Sequence, residues 1–356
     1  MAMRFRISWS VTRRVSAALA LSVSAVPLCV ASASAQGEVN IYSYREPQLI
    51  DPLLRGFTEL TGIRTNVVYA SAGLNERLAA EGQNSPADLL FTVDAGRLSE
   101  AKEAGLTQAV DLVSLQQAIP SQYRDPGNHW FGLTMRSRIV YASKERVKQN
   151  SITYEELADP KWKGKICIRS GQHVYNTSLT ATIIAHKGEA FTEQWLKGLK
   201  ANLAHKPAGG DREQARDIYS GKCDLAVGNT YYMALMATNE KNPEQKRWGA
   251  AIKPLFPNAS DRGSHVNISG MALAKNAPNK ANALKLMEYL ASEQAQKIYA
   301  TANNEYPVNP AVEPSDIVKS WGKLKPDALP LENIAKFRKK ASELVDKVNF
   351  DAGPSS

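Results

Sequence analysis

The chain has 356 residues, 43% of them hydrophobic, 8% aromatic and 22% charged. That is enough apolar material for one large core or two smaller ones, and it excludes collagen-like, coiled-coil and wholly disordered polymers. The formal charge of +9 invites a nucleic-acid reading, but a leading segment of 35 residues holds Arg4, Arg6, Arg13 and Arg14 without any acid, leaving 40 basic residues against 35 acidic ones. That balance is too even for a nucleic-acid footprint, and no recognised nucleic-acid module is present.

The first 35 residues read as a signal peptide. The four arginines form a positive front, residues 15–30 are mostly apolar or small, and Ala33-Ser34-Ala35 is a small-residue cleavage pattern ahead of Gln36. The apolar run is too short, and too interrupted by Ser and Pro, for a membrane anchor, and no later stretch is apolar for long enough to span a bilayer. The mature chain is therefore expected in the periplasm, beginning near Gln36, with Arg13-Arg14 compatible with twin-arginine export. Cys167 and Cys223 are then an even pair in an oxidising compartment, which predicts a disulfide; two buried free thiols are the alternative.

Residues 39–42 predict a first strand. Residues 47–60 predict a helix with Leu49, Ile50, Leu53, Leu54, Phe57 and Leu60 on one face, stopped at Gly62. Residues 63–69 read as extended, 74–81 as helix, and 88–93 as a buried strand followed by a helix ending near Gly105. This alternation of short β-rich runs with amphipathic helices predicts an α/β fold with a largely parallel sheet. A second series has a strand at 165–169, helices at 177–185, 191–199 and 212–219, and a strand at 223–227 entering a turn at Gly228-Asn229. Extended runs at 252–256 and 267–274 follow, then helices at 280–290 and 292–301 and a charged, mostly helical tail over 316–348. The mature length favours two lobes, and the absence of a compositional linker is what crossing strands between them would produce.

Three predicted strand-to-helix junctions carry tyrosine: Tyr42-Ser43-Tyr44-Arg45-Glu46-Pro47, Ser170-Gly171-Gln172-His173-Val174-Tyr175-Asn176, and Gly228-Asn229-Thr230-Tyr231-Tyr232-Met233. In the second, Asn176 or Thr177 is the expected N-cap, and His173 is expected to be a solvated turn residue. Ligands bind beyond the carboxyl ends of strands in open α/β sheets. A tandem Tyr pair alone is commonly ordinary packing; three Tyr-bearing junctions point to a shared site. Adjacent residues at a helix start diverge by about 100°, so Tyr231 and Tyr232 converge only on something at the helix tip, which an ion satisfies. The run from Trp130 to Arg138 adds cations near the expected lobe crossing.

With Ser85-Pro86-Ala87-Asp88, Trp130-Phe131-Gly132-Leu133, Lys165-Ile166-Cys167-Ile168-Arg169-Ser170-Gly171 and Asn267-Ile268-Ser269-Gly270, these segments run through the whole mature chain in an order that resembles the periplasmic ferric-iron-binding proteins of ABC importers. The resemblance implies a two-lobed type II periplasmic binding protein, each lobe a mixed sheet flanked by helices, joined by crossing hinge strands. The lobes are expected at 36–134 with 266–312 and at 135–265 with 313–356. The resemblance further implies Fe(III) held by Tyr175, Tyr231 and Tyr232, with Tyr44 as a further candidate, and no catalysis. Arg45, Arg136, Glu46 and Asn176 are the candidates for holding an accompanying anion or supporting the ligands. The implied partners are a permease and ATPase complex at the inner membrane, and the chain is expected to be a monomer. Other branches place a His at the end of the first strand; here Tyr44-Arg45-Glu46-Pro47 stands there, and no His occurs between Gln36 and His129.

The chemistry agrees with that implication. Fe(III) is a hard ion that prefers anionic oxygen, and a trivalent ion can displace the proton of a phenol whose pKa is about 10. Three phenolates neutralise the ion and leave positions for carbonate, another small anion or water, which Arg45 or Arg136 can balance through paired hydrogen bonds. A polyamine would ask for carboxylates among aromatics, and an oxyanion for helix N-termini without phenols. Neither of these, nor thiamine, accounts for the tyrosines. A hydrolase built on Cys167 and His173 lacks a positioned third group, and no Gly-x-Ser-x-Gly or His-Glu-x-x-His motif occurs.

Overall fold

The computed structural model describes residues 37–354, so the signal-peptide reading of residues 1–35 lies outside the described residues. Nine strands form one curled sheet: β1 Glu38–Ser43, β2 Arg64–Tyr69, β3 Leu89–Thr92, β4 Phe131–Ser143, β5 Ile166–Cys167, β6 Leu225–Asn229, β7 Ile252–Leu255, β8 Val266–Leu273 and β9 Tyr306–Pro307. Their order is β2-β1-β3-β8-β4-β6-β5, with β7 and β9 also pairing with β4.

The sheet is mixed, not largely parallel. β1 runs parallel to β2 and β3, and β5 parallel to β6, as strand-helix-strand units require. Every pairing of β4 and β8 is antiparallel. The cause is that these two strands carry the chain across between two groups of parallel strands. β4 is 13 residues long and buried throughout. Residues 131–137 pair with β8, and residues 138–143 pair with β6 and β7. The fold is thus two α/β halves joined by crossing strands.

Local signals account for most elements. The helix Pro47–Thr61 begins with Pro at its first turn and ends at Gly62, whose φ of 72° and N–H bond to the Thr58 carbonyl form a left-handed cap. It buries Leu49, Ile50, Leu53, Leu54 and Phe57, whereas Leu60 is 64% exposed and is not part of the packed face. The span Val174–Ala201 is two helices meeting at Gly188, whose φ of 80° breaks the helical path. Its N-cap is His173, whose side chain accepts from the Tyr175 N–H; Asn176 and Thr177 lie inside the first turn and do not cap. The tail is less helical than expected: Asp316–Lys319 and Leu331–Lys347 are helices, with irregular chain over 320–330.

One apolar core gathers Ile41, Leu53, Phe57, Leu89, Leu286 and Met287, and a second gathers Val140, Trp195, Leu225, Val227 and Leu344. Full burial of such side chains contributes about 1.5–3 kcal/mol each. Cys167 and Cys223 are bridged, with Cα atoms 5.9 Å apart and a separation of 56 residues. Closing that loop in the unfolded chain stabilises by roughly 4 kcal/mol in the chain-entropy account. Among the described residues no helix is long and apolar enough to cross a membrane.

Candidate metal centre

Two strand ends deliver three phenols to one place. β5 leads through Ile168–Gln172 into the helix that opens at Val174, and Tyr175 stands in its first turn. β6 ends at Asn229 and passes directly into the helix Thr230–Ala237, so Tyr231 and Tyr232 fall in that first turn. Because β5 and β6 are parallel neighbours, their carboxyl ends share one edge. The disulfide joins the same two strands' segments from behind. Tyr175 Oη lies 3.2 Å from Tyr231 Oη, and the Tyr231 and Tyr232 ring centroids are 4.2 Å apart. Tyr231 and Tyr232 are buried and Tyr175 is half-buried.

Burial, reinforced by Tyr175 and by Tyr232, pushes the Tyr231 phenol far above its ordinary range. Burial, then Tyr175 and Asp211, does the same to Tyr232. Without a cation both stay protonated at neutral pH, because ionising either would place an uncompensated charge in a poorly solvated cluster.

Guanidinium groups surround these rings. Arg169, Arg136 and Arg138 lie 5.3, 5.6 and 5.7 Å from the Tyr175 ring centroid, and Arg212 lies 4.7 Å from that of Tyr232. The buried Asp211 anchors two of them, accepting from Arg138 Nη1 at 2.6 Å and Arg169 Nη1 at 3.1 Å, and also accepts from the Asn229 N–H at 2.8 Å. Burial raises its pKa, but Arg138, Arg169 and the Asn229 N–H outweigh that and hold the carboxyl below the usual range. Asn176 ties this network to the Tyr175 turn. Its Oδ1 accepts from Arg138 at 3.1 and 2.8 Å, and its Nδ2 donates to the carbonyls of Arg169 and Ser170 at 3.0 Å each.

The facing wall comes from the chain after β1, β2 and β3. Tyr44, Arg45 and Glu46 follow β1, Tyr69 ends β2, and Arg97 stands on the helix Ala95–Glu103 after β3; with the phenols they line a cavity of about 210 Å³. Tyr44 Oη accepts from the Asn75 N–H at 2.8 Å and donates to Asn75 Oδ1 at 3.2 Å, with the Arg97 guanidinium 4.2 Å from its ring centroid. Arg45 is buried and pairs with Glu305, not with its neighbour Glu46, through both terminal nitrogens, and Nη1 also reaches Ser269 Oγ at 2.6 Å. Glu46 is half-buried and accepts from Gln48 Nε2 at 2.5 Å. Arg136 is buried, donates to Ser269 Oγ at 3.4 Å, and is not one of the residues lining the cavity. Arg45 Nε, Arg169 Nε and Arg136 Nη2 are buried donors with no protein acceptor.

His173 is not a solvated turn residue. It lines the cavity, its Nδ1 accepts from the Tyr175 N–H at 3.2 Å, and burial, followed by Arg169 and Arg138, pushes its pKa down to about 3. Sequence reasoning missed Glu305, Ser269, Asp211, Asn75 and Arg97, all of which act through partners distant in the chain. The donor set fits a hard trivalent ion: phenol oxygens converge, and unsatisfied guanidinium donors stand beside them. Cys167, His205 and Asp217 also lie within 4.8 Å of one another, but the bridge to Cys223 removes the thiolate that a metal would need.

Two α/β halves joined by crossing strands, with a small polar cavity at the ends of strands from both, define a solute-binding protein. A family model described as bacterial extracellular solute-binding protein matches residues 84–321. Iron uptake protein A2 of Synechocystis sp. is 42% identical over 323 residues, covering 89% of this chain and 92% of the relative. The crystal structure of apo ferric ion-binding protein A from Pasteurella haemolytica is 50% identical, with a TM-score of 0.85 over 88% of this chain and 98% of that one. The Trichodesmium protein IdiA (FutA), solved in complex with iron and citrate, is 41% identical with a TM-score of 0.83 over 88% and 100%. The chain belongs to the bacterial extracellular solute-binding proteins, in the group that contains the ferric-ion-binding proteins.

Proposed function

We propose that this protein is the extracytoplasmic binding component of an ABC importer that captures Fe(III) and passes it to a permease and ATPase complex at the inner membrane. The observation that carries the reading is the meeting of Tyr175 and Tyr231 hydroxyls at 3.2 Å, from separate segments, with the Tyr232 ring packed against that of Tyr231. Tyr175, Tyr231 and Tyr232 supply phenolate oxygens to the ion. Tyr44 joins them only by giving up the hydrogen bond that it donates to Asn75 Oδ1.

An accompanying anion such as carbonate or citrate fits the same cavity, because the wall offers guanidinium donors that the protein leaves unsatisfied. Arg169 and Arg45 line the cavity and are the nearest such groups, Arg136 backs Tyr175, Asn176 keeps the Tyr175 turn in place, and Glu46 stands at the wall opposite the phenols. The lobes assigned to residues 36–134 with 266–312 and 135–265 with 313–356 would close on the ion by bending β4 and β8. The protein acts as a periplasmic monomer after loss of its leader near Ala35 and carries out no catalysis. A polyamine is disfavoured, since it cannot displace the phenol protons to create compensating phenolates and would meet the guanidiniums around Tyr175 unscreened.

Competitive titration against a solute panel tests the assignment. Stoichiometric binding of Fe(III) from a weak chelator is expected, with no competition from spermidine or thiamine at millimolar concentration; saturable binding of either without iron would contradict it.

A further inference from the structure

Outside the phenol cluster, one carboxylate ties together four separate parts of the chain. Asp94 follows β3, is fully buried, and caps the helix Ala95–Glu103 by accepting from the Arg97 N–H at 3.2 Å. Its Oδ2 accepts from Ser178 Oγ at 2.6 Å and from Asn267 Nδ2 at 2.6 Å, and Arg338 Nη1 lies 3.6 Å from its Oδ1. Asn267 belongs to the crossing strand β8, and its own Oδ1 accepts from the Ala95 N–H at 3.0 Å, so that strand grips the turn twice. Arg338, on the helix Leu331–Lys347, also reaches Glu100 at 2.5 Å.

The placement of these partners relates them to the cavity. Ser178 stands about one turn beyond Tyr175 on the helix that Tyr175 helps to open. Arg97 lies one turn beyond Asp94 and lines the opposite wall. A serine inside a helix ordinarily bonds back to its own backbone or to water, but this hydroxyl is directed at a buried carboxylate, a charge-assisted contact stronger than a neutral one. A charge kept dry persists only if its lone pairs are satisfied, and here they are satisfied from both sides of the cavity.

We propose that Asp94, acting through Ser178, is a positioning residue for solute retention: it fixes the helix carrying Tyr175 against the wall carrying Arg97 without touching the ion. The proposal rests on the reading of Tyr175 as a ferric ligand. It is tested on the mature chain with Ser178→Ala, Ser178→Thr, Asp94→Asn and the double variant. Release of iron to excess chelator is expected to be about tenfold faster in Ser178→Ala, with an unchanged absorption band because every phenol remains. Ser178→Thr keeps the hydroxyl and is expected within about twofold of wild type. The double variant is expected to release no faster than Asp94→Asn alone, since both changes weaken the same Ser178–Asp94 contact. In metal-free Ser178→Ala, the backbone amides of residues 177–181 should exchange with solvent about tenfold faster. Wild-type release and wild-type exchange in Ser178→Ala would overturn the proposal. A wild-type protein that shows no band with Fe(III) would overturn the ferric reading instead, and the exchange measurement then still decides whether Asp94 holds this helix.

Discussion

The two walls of the cavity are built on different principles. The wall of Tyr175, Tyr231 and Tyr232 brings phenol hydroxyls together and leaves them facing one another, while its fixed charges, Arg138, Arg169 and Asp211, are paired with one another. The wall of Tyr44, Arg45 and Arg97 has most of its polar groups already committed, to Asn75, to Glu305 and Ser269, and to the Ser71 carbonyl. The first wall is thus a ligand set held by a rigid frame, and the second is a charged surface whose hydrogen bonds are mostly made, with Arg45 Nε left to donate to a solute anion. Affinity should therefore be concentrated in the first.

Removing ligands from the two walls gives the largest contrast. Tyr231→Phe or Tyr175→Phe should weaken ferric binding by more than the ~10–100-fold typical of losing a group outside the ligand shell, as measured by chelator competition. Tyr44→Phe should remain within about tenfold of wild type. Equal losses on both sides would dissolve the distinction.

The frame behind the phenols is the next target. Asp211→Asn leaves Arg138 and Arg169 buried without their counter-charge, which is expected to cost about 3–5 kcal/mol in urea unfolding. The folded pKa of Asp211, like that of Asp94, is depressed, so its stabilisation is complete above the unfolded value of about 4 and is lost as pH falls through the folded value. An acid unfolding profile should accordingly move to higher pH, with less stability to lose, in Asp211→Asn.

Proton release separates the walls by a smaller but specific signal. Tyr231 and Tyr232 are held protonated by burial, so iron binding should release one proton from each, and affinity should fall as pH falls. A pH-stat titration that records no proton release would place the ion elsewhere. Asn75→Ala should have the smallest effect: it removes the Oδ1 acceptor of the Tyr44 hydroxyl but keeps the backbone N–H donor, and changes ferric affinity by no more than a few-fold, at about 1 kcal/mol of stability for the lost side-chain bond.

The phenol wall was legible in the sequence because its signals are local. Tyr231 and Tyr232 follow an apolar strand directly, and Tyr175 follows a strand-end turn, so position along the chain already implies position at the sheet edge. In the facing wall Tyr44, Arg45 and Glu46 were legible but their partners were not, because those pairings join distant residues: Arg45 with Glu305, Tyr44 with Asn75, Asp94 with Asn267. β4 was hidden for a related reason. Arg136-Ser137-Arg138 breaks the apolar pattern of a buried strand, yet all three are buried, with Asp211, Asn176 and Asn229 taking up the Arg138 guanidinium and the His265 carbonyl accepting from the Ser137 hydroxyl. His173 was misread because nothing in its neighbours announces that it caps a helix beside two guanidiniums.

Absorption spectroscopy during ferric titration addresses the centre of the account, since only phenolate bound to Fe(III) gives an intense visible charge-transfer band. A band that grows to one equivalent in wild type, and that is diminished in Tyr231→Phe while persisting in Tyr44→Phe, is the predicted result. A stoichiometrically loaded but colourless protein, or a band unaffected by loss of Tyr175, Tyr231 and Tyr232 in turn, would contradict it.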